Sequence, residues 1–325
     1  MKVLVTGGAG YIGSVTARAL LARGHDVEVL DDFSTGHREA LPPGIRLHEG
    51  SLLDAGFVDR ALAAPCDAVL HFAAFSLVAE SVARPLPYYR NNVGGSVNLL
   101  DAAARAGIRR FVFSSTAAVY GEPDEMPITE HAPTRPVNPY GHTKLAIEWA
   151  LADTAAAAGF PAVALRYFNA CGATADLGED HDPETHLIPR LLRSVLDPGL
   201  GFAVYGDDYP TPDGTCIRDY IHVTDLAEAH ALALEADVRP GLSVYNLGSE
   251  TGASVREILK AAEAVTGCAF DPRIEPRRPG DPARLVAGNA RARRELGWRP
   301  RSSDLPTILA DAWNWHRAHP RGYQG

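Results

Sequence analysis

Short apolar runs alternate with longer stretches of helical period through the first half of the chain. Val3-Leu4-Val5-Thr6 reads as a buried strand. The stretch from Val15 to Leu21 follows with apolar positions at helical spacing, closed by Gly24 at a C′ position. The strand signal returns at Val27 to Leu30, Ile45 to His48, Ala68 to Phe72, Phe111 to Phe113 and Ala162 to Arg166. Between these, Tyr88 to Ala106 predicts a helix stopped by Gly107. Another helix is predicted from Asn138-Pro139, an N-cap side chain followed by a first-turn proline. Strands alternating with helices predict an α/β fold built on a doubly wound parallel sheet.

After Tyr167-Phe168-Asn169 the pattern changes. Gly172 to Pro183 is acidic and loop-like; Thr185 to Leu196, Thr224 to Ala236, Ser254 to Thr266 and Asp304 to His319 predict helices, and Phe202 to Tyr205 a strand. The regular alternation is gone. The division predicted is a Rossmann-type domain over 1–170, with a return segment near 217–240, and a smaller mixed α/β domain over 171–325 that caps a substrate.

Composition narrows the class. The 325 residues are 46% hydrophobic and 22% charged, a balance that supports a substantial core. A net charge of −9 argues against a nucleic-acid or anionic-membrane surface, so an anionic ligand would need a local cluster of arginines. Cys66, Cys171, Cys216 and Cys268 are far apart and form no C-x-x-C, which predicts reduced, mostly buried thiols in a cytoplasmic protein. No secretory signal or membrane span is predicted, and no cluster spaced as metal ligands stands out.

The candidate chemistry lies at strand ends. Gly7, Gly10 and Gly13 fill the turn between the first strand and the first helix. Glycine there lets backbone approach a pyrophosphate, and the helix N-terminus offers free N–H groups. Asp31-Asp32 ends the second strand; a carboxylate at that place accepts from ribose hydroxyls and repels a 2′-phosphate, which predicts NAD over NADP, with Arg38 the one nearby cation that weighs the other way. Tyr140 and Lys144 stand one turn apart at the start of a helix. A phenol is a base near neutrality only if its pKa falls by about three units, roughly 4 kcal/mol of preference for the phenolate. Lys144, the helix terminus and an oxidised nicotinamide are the candidate sources. Thr116 and Asn169 fall at or just past other strand ends, where such sheets bind ligands. Arg218, Arg277 and Arg278 suit phosphate oxygens and meet the demand for a local cationic cluster.

With these residues in hand, the chain resembles the extended short-chain dehydrogenase/reductases, and within them the UDP-glucose 4-epimerase branch. The likeness runs over nearly the whole chain and includes His71 to Ala74, Phe113 to Gly121, Pro139 to Lys144, Tyr209 to Val223, Tyr245 to Gly248 and His319 to Tyr323. It implies reversible inversion at C4 of UDP-galactose and UDP-glucose through a transient 4-keto sugar, with NAD retained as a prosthetic group. It implies Tyr140 as base, Thr116 as proton relay, and Lys144 as the residue that holds the nicotinamide ribose and lowers the Tyr140 pKa. The glycine turn with Tyr11 and Ile12, Asp31, Asp32, Phe72, Ala73, Ala74, Asn91, Ser114 and Tyr167 would contact NAD. Asn169, His186, Leu187, Tyr205, Arg218, Arg278, Asp281 and Leu285 would contact the UDP-sugar. A homodimer through the helices predicted over 88–106 and 139–158 is also implied.

The chain departs from that pattern at several places. Ser51 replaces an acid near the adenine, Ser76 a lysine near the cofactor phosphates, and His186 an asparagine near the UDP phosphates. Leu285 stands where a tyrosine excludes N-acetyl sugars and a small residue admits them, so UDP-N-acetylhexosamines and UDP-pentoses stay open. A sugar-nucleotide 4,6-dehydratase would carry Asp-Glu after the relay threonine, where this chain has Ala117-Ala118. A regulator that only senses the cofactor would lack Tyr140 or Lys144, and an ordinary dehydrogenase would release NADH.

Overall fold

Seven strands, β1 (Lys2–Thr6), β2 (Asp26–Asp31), β3 (Arg46–Glu49), β4 (Ala68–His71), β5 (Arg110–Thr116), β6 (Pro161–Tyr167) and β7 (Gly241–Leu247), form one sheet in the order β7-β6-β5-β4-β1-β2-β3. Every pairing is parallel. This computed structural model describes residues 1–278 and 281–324; Pro279 and Gly280, which follow Arg278, lie outside the described residues. The main helices are α1 (Tyr11–Ala22), α2 (Gly95–Ala106), α3 (Pro139–Ala158), α4 (Leu187–Leu196), α5 (Val223–Glu235), α6 (Val255–Thr266) and α7 (Leu305–Ala318). Among the described residues, no helix is long and apolar enough to cross a membrane.

Strand period divides the interior into two layers. Val3 and Val5 face a core shared with α1 and α5, while Leu4 between them faces a core shared with α2 and α3. Both faces are covered, which is why the strands read as unbroken apolar runs. The second half builds its own core from Ile188 and Leu191 of α4, Ile258 of α6 and Leu309 of α7. Side-chain caps start the helices where the sequence put them: Asn138 accepts from the Gly141 N–H, Ser254 and Glu257 form a capping box, and Asp304 accepts from Thr307.

Three predicted features change. The helix expected over 88–106 is a short turn at Pro85–Tyr88, a wide π-helical turn at Tyr89–Gly94, and then α2. Asn92 explains the wide turn: its side chain accepts from Phe75 N at 2.8 Å and donates to Phe75 O at 3.0 Å and Thr143 Oγ1 at 3.1 Å. The return to the sheet extends beyond 240, because β7 pairs along the full length of β6. Ser243 and Asn246 interrupt the apolar run of β7 and hide it from pattern reading. Of the four thiols, Cys268 is exposed rather than buried.

One buried ion pair joins α3 to the sheet. Glu148 accepts from Arg166 Nε at 2.9 Å and Nη2 at 2.5 Å, and from Ser115 Oγ at 2.5 Å. Arg166 Nη1 donates to Tyr120 Oη at 2.9 Å, Tyr120 donates to Asn246 Oδ1 at 2.7 Å, and Asn246 Nδ2 donates to Ile128 O at 3.0 Å. Removing one partner strands the other charge in the interior. Glu148→Ala is expected to cost about 3–5 kcal/mol, read as a lower denaturant midpoint. A midpoint equal to wild type would show that the pair does not hold the helix.

Candidate active site

A cavity of about 870 Å³ runs along the carboxyl ends of β1, β2, β4, β5 and β6. This is the crevice where a doubly wound sheet binds dinucleotides. Its floor is the glycine turn. Gly7 has φ +72°, and a Cβ on it would come within 2.5 Å of Ala73 N. A Cβ on Gly13 would lie 2.1 Å from Gly7 O. Gly10 differs: a Cβ there meets only Gly7 O at 3.4 Å, so the protein itself leaves room and the cavity side is what stays clear. Helix α1 begins at Gly10 with no side-chain cap. A bare helix N-terminus beside a backbone cradle fits a pyrophosphate.

Asp31 closes β2 at one end of this cavity. Its carboxylate accepts from Ala9 N and Phe33 N, each at 2.9 Å, and burial raises its pKa against those hydrogen bonds. Asp32 is exposed and accepts from Ser34 N. Arg38 is engaged elsewhere, bonded to Glu49 at 2.7 Å and stacked 4.4 Å over the Phe33 ring. The cation that weighed toward NADP therefore already has an acid partner.

At the other end α3 projects Tyr140 and Lys144 into the crevice. Asn92, through Thr143, and Ser81, which accepts from Tyr140 N at 3.2 Å, hold the start of the helix. Lys144 Nζ donates to Ser114 O at 2.8 Å and lies 4.9 Å over the Phe113 ring. Burial lowers its pKa to about 7, against the field of Glu148 one turn on. Burial pushes the Tyr140 phenol up to about 12, and only its hydrogen bond with Thr116 opposes this. The expected lowering of Tyr140 by Lys144 is therefore absent from the chain alone. Lys144 Nζ is turned to the Ser114 carbonyl and lies 5.9 Å from the centre of the Tyr140 ring. His71 behind them stays neutral: burial first, then Lys144, push it down to about 3, while Thr6 and Ser96 bond its two ring nitrogens at 2.7 and 2.8 Å. Ser114 and Tyr167 share a hydrogen bond on the same wall.

Every residue expected at NAD lines this cavity, including Tyr11, Ile12, Phe72, Ala73, Ala74 and Asn91. Of those expected at the UDP-sugar, Thr116, Asn169, His186, Arg218, Asp281 and Leu285 line it. Leu187, Tyr205 and Arg278 do not. Leu187 packs on the core of the second half, and Arg278 lies 4.0 Å over the Tyr205 ring. Arg277 is likewise drawn away, to Asp208 and the Tyr209 ring. Arg218 pairs with Asp281, so the clamp cation is partly neutralised by another candidate ligand. Asn169 donates from its side chain to Asp219 O at 2.7 Å, and the ring Nδ1 of His186 is held by Glu184 and Glu179.

Pattern reading missed Asn92, Glu148 and Arg166, which position the machinery rather than touch the cavity. A charged residue inside the apolar run Ala162-Val163-Ala164-Leu165-Arg166 was the available signal. It also missed a group of four ligand-type side chains, Glu179, His181, Glu184 and His186, whose donor atoms lie within 4.8 Å of one another. The E-x-H-x-x-E-x-H spacing was the signal there.

Residues 3–248 match the model of the NAD dependent epimerase/dehydratase family. The chain is 51% identical over 326 residues to a UDP-glucose 4-epimerase of Streptomyces lividans, covering 99% of this chain and 98% of that one. A crystal structure of a UDP-glucose 4-epimerase superposes with a TM-score of 0.96 at 46% identity, covering 100% of both chains. The Bifidobacterium longum UDP-glucose 4-epimerase, solved in complex with NAD+ and UDP, gives 0.94 at 39% identity, covering 99% of this chain and 100% of that chain.

The two glycines of the turn separate folding from cofactor binding. Gly13→Ala is expected to cost about 1–3 kcal/mol or more of stability, because backbone must move. Gly10→Ala is expected to change stability by less than about 0.5 kcal/mol while weakening NAD binding at least about tenfold, or about 1.4 kcal/mol. Thermal unfolding and calorimetric NAD titration of the two variants check both. Unchanged NAD affinity in Gly10→Ala would place the pyrophosphate elsewhere.

Proposed function

Because the chain belongs to the NAD dependent epimerase/dehydratase family, we propose that it inverts C4 of UDP-galactose and UDP-glucose reversibly, through a transient 4-keto sugar and with NAD as a resident prosthetic group. The observation that carries this reading is the half-buried Tyr140 beside buried Thr116 and Lys144 at the open ends of β5 and α3, facing the dinucleotide cradle across one cavity. Bound NAD supplies reversible hydride acceptance and a positive charge next to this set. Tyr140 takes the O4 proton through the Thr116 hydroxyl and returns it to the other epimer. Lys144 orients the ribose with donors that its bond to Ser114 leaves free. Burial holds the Tyr140 phenol up at about 12 and leaves Lys144 at about 7, so the basic form of Tyr140 depends on a cation being brought beside it. Proton abstraction is thus coupled to a loaded cofactor site.

Inversion requires the nucleotide to be held while the hexose turns over. Arg218 and Asp281, on the unit formed by residues after 170, and Asn169, just past β6, are the groups we assign to the UDP. Leu285 pairs opposite Arg218 and lines the same cavity. A leucine there, smaller than tyrosine, supports a second reading in which acetamido sugars also enter.

We also assign a homodimer. Val97 on α2 is 48% exposed and Trp149 on α3 is 63% exposed, and the two helices lie side by side. Large apolar groups on adjacent helices suit a self-complementary interface. Four unpaired thiols support a reducing, cytoplasmic setting.

Proton NMR of the purified protein with UDP-galactose and no added NAD is expected to show the UDP-glucose anomeric signal growing to equilibrium. Tyr140→Phe is expected to keep UDP binding and lose at least about a thousandfold in turnover, roughly 4 kcal/mol of barrier. A sugar unchanged even with added NAD would sink the assignment, and a keto-deoxy product would replace it with a dehydratase. In light scattering, wild type is expected at twice the chain mass and Trp149→Glu at the monomer mass; a monomeric wild type overturns the dimer.

A further inference from the structure

We propose that Glu179, His181, Glu184 and His186 form a binding site for a divalent transition-metal ion of the zinc class, on the wall of the cleft. Two imidazole nitrogens and two carboxylate oxygens are a donor set that zinc accepts. With bonds of about 2.0–2.2 Å, tetrahedral donors stand roughly 3.3–3.6 Å apart. Here His186 Nδ1 lies 2.9 Å from Glu179 Oε1 and 3.0 Å from Glu184 Oε1. His181 Nδ1 lies 3.3 Å from the same Glu179 oxygen and 3.6 Å from Glu184 Oε2. Both rings thus aim one nitrogen at a common point between two carboxylates.

Two further observations point to a ligand at that point. The Glu184 side chain is only 4% exposed, and its Oε2 has no hydrogen-bond partner. His181 Nδ1, also buried, makes no hydrogen bond, with Glu179 Oε1 at 3.3 Å and Glu184 Oε2 at 3.6 Å. A buried ring nitrogen and a buried carboxylate oxygen left unpaired beside each other are costly unless something else engages both. A dication with two carboxylates and two neutral imidazoles is electrically balanced. The rival balance is two imidazolium–carboxylate pairs with no ion. The hydrogen-bond geometry satisfies that rival at His186 and fails it at His181.

The site's place gives it a structural role. Glu179, His181 and His186 line the cavity, and His186 is the N-cap of α4. The flanking Asp180 is bonded to Arg193 on α4 and to Tyr323 N in the C-terminal tail. An ion here would fix the loop that connects the sheet to α4.

The test uses full-length protein with any affinity tag removed, stripped with EDTA, desalted, and titrated with Zn2+ alone. Elemental analysis after a second desalting is expected to find about one zinc per chain, and melting is expected several degrees higher than for the stripped protein. Loss of an outer-shell partner alone costs about 10–100-fold in metal affinity, so His181→Gln and Glu184→Gln are each expected to lose at least ~100-fold in chelator competition. Stripped wild type that retains no zinc overturns the proposal and leaves two imidazolium–carboxylate pairs. Zinc retained equally by wild type and both variants also overturns it, by placing the ion on other histidines.

Discussion

The buried pair of Glu148 and Arg166 is the constraint on which the rest of the site depends. Two charges in the interior stabilise nothing unless their remaining donors and acceptors are met. Here they are met by Ser115, Tyr120 and, through Tyr120, Asn246. Those groups belong to β5, the turn after it, and β7. A single network therefore sets how far α3 stands from the sheet and where the returning strand lies. Lys144 is one turn from Glu148 on the same helix, so its height over Ser114 follows from the pair.

Burial sets the chemistry of the other end. A phenol and an ammonium in the same dry crevice both lose charge relative to water. His71 and Tyr167 add no charge of their own: His71 is neutral, and burial raises the Tyr167 phenol far above its ordinary value. Burial therefore works against charge across this region. A site of that kind stays quiet toward water and responds strongly to one well-placed charge.

Much of this was legible in the sequence because the deciding signals were local. The glycine turn, Asp31 at a strand end, and Asn138-Pro139 ahead of Tyr140 each depend on a few neighbours, and each occupies the expected place. What escaped depends on partners far away in the chain. Asn92 widens a helix through Phe75 and Thr143. Arg278 reads as a phosphate ligand from its place in the chain, and the Tyr205 ring that it stacks on is 73 residues away. The partners of Arg218 and Arg277 are likewise acids brought by folding, and a linear motif carries no record of them.

The strand β7 is made by chain that has already left the sheet, built part of the second core, and come back. Ala292, Leu296 and Trp298 return again to pack on the first core, where Trp298 donates to Asp225 O. A single cut near residue 170 therefore divides the core that faces α1 and α5 between the two fragments. A ribosome releasing this chain cannot complete the sheet until residue 247 has emerged, and the first core stays open until Trp298 follows. The cradle is thus synthesised well before the strand and the tryptophan that finish the core beneath it.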